Sequence, residues 1–600
     1  MLVGPVFTRE FVTAPRRTRL YVARAAYVAA LLVLLSTAWQ VLAGTQVVRN
    51  VGDLSRFGAS VFAILAPLQL AIVLFFSSLS AASAVAAEKD RQTLVLLLMT
   101  NLSNAELVLG KLLASMLNVL VLVAAAVPVF MLMALLGGIS FEQIGRAFAV
   151  TLASALVAGS LGSTLALWRE KTFQTLAMTA LALVLWLAAG ELVAQGAMGS
   201  QWWGISTSHW AIAISPWQAM LEATRPFTEA QSGGWLSSPV NQFLLVSLGA
   251  ALALNGLATA MVRVWNPSRE ARRGAHDPRS ENHPLAQSPA GPATAMQAAT
   301  AAARPIARSR PVWDNPIIWR EMRTWAYGRK MLVVRAAYLV LFALTAAGMY
   351  AVLERSDMVG REDAALVLVP LLILSLVLVN AQAVTSLTSE RDARALDLLL
   401  VTDLTPKEFI FGKLGGVLYN TKEMVLLPMA LCGAIWYSGL VSLENLLYLL
   451  GGWLVMCGFV AMLGVHVGMN YVNSKSAIAA SLGTVFFLFI GVAVCMRIMV
   501  AFSGSFQVQL TPFLAFIIGG GAGLYAALGW RNPSGAIQMA SILCPFAIFY
   551  AITSFLIGYT LGVFLVLAFT FGFTTLTMLI PALSEFDVAT GRTSGAGEEG

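Results

Sequence analysis

The side chains of this sequence that could do chemistry come in two matched sets, 302 positions apart. Glu88, Lys89 and Asp90 are followed by Thr100, Leu102, Ser103, Glu106, Gly110 and Lys111; Glu390, Arg391 and Asp392 are followed by Thr402, Leu404, Thr405, Glu408, Gly412 and Lys413. Gly-Lys raises the question of nucleotide binding, which needs G-x-x-x-x-G-K-[ST], a glycine-rich backbone wrapping phosphate ahead of a helix. Here leucine follows each pair, Leu112 and Leu414, and no earlier glycine stands at the right distance. The sets instead carry helix-starting chemistry. Ser103 with Glu106, and Thr405 with Glu408, have capping-box spacing: the hydroxyl accepts from the amide three residues on, and the carboxylate reaches back. Pro406 falls at the first helical position, where proline forfeits no hydrogen bond. A helix is predicted to start at 103 and again at 405.

Other polar candidates lie inside apolar sequence. Lys422 and Glu423 stand where the first half has Leu120 and Val121. A charge at the centre of a helix in lipid costs about 2.5–3.5 kcal/mol on insertion scales. The pair either lines a translocation path or sits at the interface of a segment that begins later. Asn118 and Asn420, also 302 apart, are candidates for the same path or for hydrogen bonds between helices. His466 has no acidic partner in register and reads as a packed histidine. Cys432, Cys457, Cys495 and Cys544 all lie in apolar segments without metal-ligand spacing, so no metal is expected. Trp202, Trp203, Trp210 and Trp217 fit an interfacial aromatic belt, with Glu191 and Glu222 on the outer surface. Neither H-E-x-x-H nor G-x-S-x-G occurs, and no catalytic residue is assigned.

The elements that hold these residues are set by composition. The 600 residues are 58% hydrophobic and 11% charged, with mean hydropathy +0.77, whereas soluble proteins carry about 25% charged residues. Stretches of about 20 apolar residues, the length of a membrane span, recur throughout. They fall near 25–43, 59–86, 112–137, 146–168, 172–195 and 242–262, then near 332–353, 364–388, 414–437, 444–468, 476–499 and 558–582. The first follows Arg16, Arg17, Arg19 and Arg24 and exceeds the roughly 7–15 residues of a signal-peptide core, so it reads as a span. Two more apolar segments, 510–529 and 537–555, are an extra pair of spans or a re-entrant hairpin.

Four further anchors align the halves in order: PVFTRE at 5–10 with PIIWRE at 316–321, RAAY at 24–27 with RAAY at 335–338, Lys171 with Lys475, and Ser215-Pro216 with Asn532-Pro533. Such ordered self-similarity indicates internal duplication. Six spans return each half to its starting side, so the halves are parallel repeats related by an axis along the membrane normal. Most of the 38 basic residues fall in loops on the N-terminal side, which places both termini in the cytoplasm. That distribution also accounts for the net charge of +8 without nucleic acid. The expected fold is an all-α polytopic membrane protein of two parallel six-span repeats, about 12 transmembrane helices, or 14 with the extra pair. Residues 1–265 form the first repeat, 266–313 a disordered cytoplasmic linker, 314–583 the second repeat, and 584–600 a disordered tail.

Between the second and third spans of each half lies a structured element. Leu94, Leu97 and Leu98, like Leu396, Leu399 and Leu400, recur at helical spacing and predict a short amphipathic helix at the interface. Val95 is replaced by Asp397 in the other copy, which marks that position as solvent-facing. Helix, tight turn and capped helix make a rigid elbow, present twice.

EKDRQTLVLLLMTNLSNAELVLGKLL and ERDARALDLLLVTDLTPKEFIFGKLG resemble the signature of ABC type 2 exporter permeases: an acidic-basic pair, a leucine run, a T-x-L-[ST] turn, then E-[LF]-[VI]-x-G-K entering the third span. The family usually has Gly-Thr where this chain has Gln92-Thr93 and Arg394-Ala395. PVFTRE and PIIWRE resemble the family's amphipathic connecting helix, through Arg9, Glu10, Arg320 and Glu321. The resemblance implies that the two sets, from Glu88 to Lys111 and from Glu390 to Lys413, contain coupling helices that dock on two copies of a cytoplasmic ABC ATPase. ATP and Mg would then be used by those partners and not by this chain, a transport subunit without enzymatic activity in a bacterial inner membrane. Membrane lipid would surround it, no nucleic acid would bind, and fusion of the halves would replace a second permease. Export follows from the resemblance alone. A proton-coupled secondary transporter of major-facilitator-like architecture is the alternative.

Overall fold

The computed structural model describes residues 4–13, 18–45, 50–194, 199, 201–202, 204–226, 238–266, 313–323, 331–354, 361–501, 506–529, 534–557, 559–584 and 586. Among these the chain is helical apart from turns, short connections and a two-residue hairpin, Gln201–Trp202 with Ile205–Ser206. The first half contributes α1 (Pro5–Thr13), α2 (Thr18–Thr45), α3 (Val51–Asp90), α4 (Thr93–Met99), α5 (Asn104–Leu136), α6 (Phe141–Trp168), α7 (Thr172–Ala194), α8 (Thr207–Ile214), α9 (Pro216–Thr224) and α10 (Pro239–Trp265). The second contributes α11 (Pro316–Arg323), α12 (Met331–Glu354), α13 (Arg361–Asp392), α14 (Ala395–Leu400), α15 (Pro406–Asn420), α16 (Lys422–Tyr437), α17 (Leu443–Asn470), α18 (Ser474–Ala501), α19 (Phe506–Gly529), α20 (Gly535–Ile557) and α21 (Thr560–Ser584). Ten helices among the described residues are long and apolar enough to cross a membrane, which makes this a multi-pass membrane protein.

Three sequence expectations change. The segment 414–437 is two helices, α15 and α16, broken at Thr421, whose hydroxyl donates to Val417 O at 2.9 Å. The stretch 198–241, the more polar part of the first half and read from the sequence as the loop facing 510–555, is not a loop throughout: Ser215 accepts from the Gln218 amide with Pro216 in the first turn, and so starts α9 directly after α8. The segments 510–529 and 537–555 belong to α19 and α20, of 24 and 23 residues, each about 35 Å long and long enough for a hydrocarbon core of about 30 Å. The expected linker lies, at 267–312, outside the described residues, as does the tail from 587 onward.

Helix α3 positions the first elbow. Its 40 residues extend about 60 Å, twice the hydrocarbon thickness, so its last turns carry Glu88, Lys89 and Asp90 past the apolar zone. Small residues let the long helices approach, as they must where no hydrophobic drive separates helix from lipid. A Cβ on Gly162 of α6 would meet Ser78 O of α3 at 2.7 Å, and one on Gly464 of α17 would meet Ala383 Cβ of α13 at 2.5 Å. The halves meet where α3 packs on α18 and α13 on α7, with Phe75 stacked on Phe486 at 4.3 Å.

Candidate functional site

Both sets of charged residues lie at one end of the bundle, where α3 and α13 terminate. After Asp90 the chain reverses through Gln92 (φ 60°), and after Asp392 through Arg394 (φ 55°); these are the only non-glycine residues at positive φ among those described. A left-handed residue just past a helix end is normally glycine, because a Cβ there clashes. Here glutamine and arginine hold that position.

The short helices α4 and α14 bury Leu94 and Leu396, and Leu97, Leu98, Leu399 and Leu400 are half-buried. Leu96 and Met99 on the opposite face of α4 are 64% and 77% exposed, and Leu398 on α14 and Val401, just past its end, are 74% and 86% exposed. The outward position is therefore Leu96 and not Val95, which is half-buried. At 100° per residue, Leu96 lies opposite the mean direction of Leu94, Leu97 and Leu98. Thr100 and Thr402 close the short helices by donating to Leu97 O and Leu399 O. Half-buried Leu102 and Leu404 lead into the caps. Both capping boxes form: Glu106 N donates to Ser103 Oγ and Glu408 N to Thr405 Oγ1, each at 3.2 Å, while Ser103 N and Thr405 N donate to the carboxylates at 3.0 and 2.9 Å. The exposed Glu408 carboxyl is held below its usual range by the Thr405 amide and hydroxyl.

Each member of the Glu-basic-Asp triads has its own destination. Glu88 pairs with Lys111, and Glu390 with Lys413 at 2.8 Å. Lys89 donates to Leu167 O and Arg169 O at the end of α6; Arg391 donates to Met469 O and Tyr471 O at the end of α17. Both cations thereby satisfy terminal helix carbonyls. Asp90 accepts from the Thr172 hydroxyl, and Asp392 accepts from Arg91 Nε and Nη2, both at 3.2 Å, which ties the two halves together.

The connecting helices brace the elbows unequally. In the second half Lys413, fully buried, donates to Glu321 at 2.8 Å, and Arg320 donates to Glu321 at 2.9 Å and pairs with Glu390. Burial alone would push the Glu321 carboxyl up, but Lys413 and Arg320 outweigh it and hold it below the usual range. Close approach is possible because Ile317 sits against Gly412 and Glu321 against Gly416, where a Cβ would meet side-chain atoms at 2.7 and 2.6 Å. Asn420 donates to Gly416 O at 2.9 Å and reaches Glu321 O at 3.5 Å, so it joins α15 to α11. In the first half Gly110 is buried, but Ala114 stands at the place of Gly416, and Arg9 pairs with Glu10 at 3.4 Å near the surface. Elbow one has a different brace, Arg263 of α10, which donates to Asn104 Oδ1 at 2.7 Å and reaches Leu98 O and Leu102 O at 3.3 and 3.4 Å. Sequence reasoning missed Arg263; its signal is a lone cation in the last turn of a span.

The remaining candidates lie apart from the elbows. Lys422 is exposed, 4.6 Å from the Tyr419 ring centre, and Glu423 pairs with Arg335 at 3.6 Å, both just after the helix break. Asn118 is half-buried on α5. His466 is packed, with Nε2 3.2 Å from Leu528 O. Among the described residues no group of three or more His, Cys, Asp or Glu could hold a metal ion. No protein-family model matches the chain, and no curated protein matches its sequence.

Proposed function

We propose that this chain is the permease of an ATP-binding cassette transporter, two parallel six-span repeats fused in one polypeptide in a bacterial inner membrane. Its elbows, in this reading, face the cytoplasm and dock two separate ATPase subunits, which hydrolyse ATP with Mg and draw the halves together, so that substrate crosses between them. The observation that carries the reading is the paired apolar tip: Leu96 and Met99, and 302 residues later Leu398 and Val401, stand exposed on or just past short helices at the charged end. Large apolar side chains held in water by capped, ion-paired frames are what a partner groove needs. The frame residues act at one remove: Glu88, Lys111, Glu390 and Lys413 hold the elbow and do not present themselves to a partner. Export is inferred from the sequence resemblance. The proton-coupled alternative finds less support, since Lys422 is exposed and Glu423 is tied to Arg335.

The test is recovery of partners from native membranes in mild detergent, read by mass spectrometry, for wild type and Leu96→Glu/Leu398→Glu. Both side chains point away from the packed face, so the variant keeps the fold. A P-loop ATPase recovered with wild type and lost with the double variant is expected; wild type that recovers none, even after cross-linking, removes the reading.

A further inference from the structure

The helix break at Thr421 leaves two cations on an outer face of the bundle that is otherwise apolar. Leu418 and Leu426, on either side of the break, are exposed, and so are Leu332 and Leu339 of α12, which packs against α16. On helices that cross a membrane, such surface meets acyl chains. Between the two apolar flanks stand Lys422, exposed with its ammonium 4.6 Å from the ring centre of exposed Tyr419, and half-buried Arg335. Length places them in depth. The 16 residues of α16 rise about 24 Å, short of a hydrocarbon core of about 30 Å, and its far end carries exposed Trp436 and Tyr437, as an interfacial end does. Lys422 thus starts about 6 Å inside the core, a depth from which a lysine snorkels to the headgroups. Arg335, near the start of α12, is level with it through Glu423.

Charge decides what such a face takes. Glu423 stands 3.6 Å from Arg335 Nε, beyond hydrogen-bond reach, and offsets one of the two cations, so one positive charge is left. The positive end of α16 adds to it, because the Thr421 hydroxyl donates to Val417 O and no side chain caps that helix. A single positive charge at headgroup depth, with apolar surface on both sides, is complementary to a phosphodiester that carries acyl chains. A free phosphate would have no use for the flanks. The other copy lacks this arrangement: Leu120 and Val121 stand in place of Lys422 and Glu423 on the continuous helix α5, and Arg24, in place of Arg335, lies 5.1 Å from the Tyr21 ring centre.

We propose that the face where α12 meets the α15–α16 break binds an anionic phospholipid of the leaflet at the charged end, its phosphate on Lys422 and Arg335 and its acyl chains along the apolar flanks. The inference rests on the membrane-spanning fold and not on an ATPase partner. The test is thermal unfolding of the purified full-length chain, followed by tryptophan fluorescence, in an uncharged detergent with added phosphatidylglycerol or phosphatidylcholine of the same acyl chains. Wild type gains a saturable Tm rise with phosphatidylglycerol on the order of 2 °C above that with phosphatidylcholine. Lys422→Leu, the other copy's residue at an exposed position, loses that excess, whereas Lys422→Arg keeps it. Arg225→Gln, which removes an exposed charge beside the start of α6, also keeps it. Soluble glycerol phosphate gives no rise. Equal rises with the two lipids in wild type, an undiminished excess in Lys422→Leu, an equal loss in Arg225→Gln, or a rise with glycerol phosphate that matches the lipid's overturns the proposal.

Discussion

Replacing Lys413 by methionine preserves the apolar length of the side chain and removes its charge from between two carboxylates. Lys413 is fully buried and Glu321 is 1% exposed, so that acid cannot turn to water once the ammonium is gone, whereas Glu390, 18% exposed, is partly solvated. Removing one partner of a buried ion pair costs about 3–5 kcal/mol, most of it the desolvation of the charge left behind. Arg320 still touches both acids, which puts the expected loss at the low end, about 3 kcal/mol. Lys111→Met is the internal comparison. Its partner Glu88 is 31% exposed and can be solvated, so about 1 kcal/mol is expected. The assay is Tm at one fixed scan rate in detergent, because unfolding of such a chain is ranked and not inverted. Glu321→Gln is added to close a double-mutant cycle, and a coupling above about 1 kcal/mol is expected for groups in direct contact. Equal losses from Lys413→Met and Lys111→Met, or additivity of Lys413→Met with Glu321→Gln, would refute the account of the brace.

Gln92→Gly and Arg394→Gly should each raise Tm, by about 1 kcal/mol in stability, because glycine removes the left-handed clash; a fall in Tm would mean the side chains stabilise the turn more than it strains them. Gly162→Ala brings a Cβ to 2.7 Å from Ser78 O and should cost about 2 kcal/mol, whereas Gly145→Ala on the same helix has nothing within 4 Å and should stabilise by about 0.5 kcal/mol. Opposite signs in the same unfolding assay are the check. Glu408 has a depressed folded pKa, so its cap is fully present above the usual carboxylate value and is lost as pH falls through the folded one. The Tm difference between wild type and Glu408→Gln should therefore stay constant above about pH 5 and shrink below about pH 4; a difference that changes between pH 6 and 8 would contradict this.

What the sequence made legible is what depends on neighbours a few residues away. The capping boxes at Ser103 and Thr405 are i, i+3 chemistry, and they form as read. Apolar length located the long helices for the same reason. The destinations of the triads were not legible, because Lys89 meets carbonyls 78 and 80 residues away and Arg391 meets its own at the same separations. Val95 was misread from a single replacement, where the 100° helical step between Leu94 and Leu98 gives Leu96 as the outward residue. The start of α9 was present as Ser215-Pro216, an N-cap followed by proline, but it served only to align the halves. The break at Thr421 had no glycine or proline to announce it; the charges at 422 and 423 were its trace.

Contacts shared by the two sets separate from those that differ, and the division has a physical meaning. Glu88 and Glu390, Lys89 and Arg391, the caps, and Gly162 and Gly464 make corresponding contacts, and all of them fix the short exposed helix relative to its own long helices. The differences gather elsewhere: Ala114 against Gly416 decides how closely a connecting helix can lie, and Arg91 against Ala393 decides which half supplies the guanidinium that crosses to an aspartate of the other. In the proposed reading each elbow presents the same surface to a partner, and that requirement constrains the first group. A seam that occurs once, between unlike faces, does not constrain the second, so asymmetry can accumulate there without moving either exposed tip.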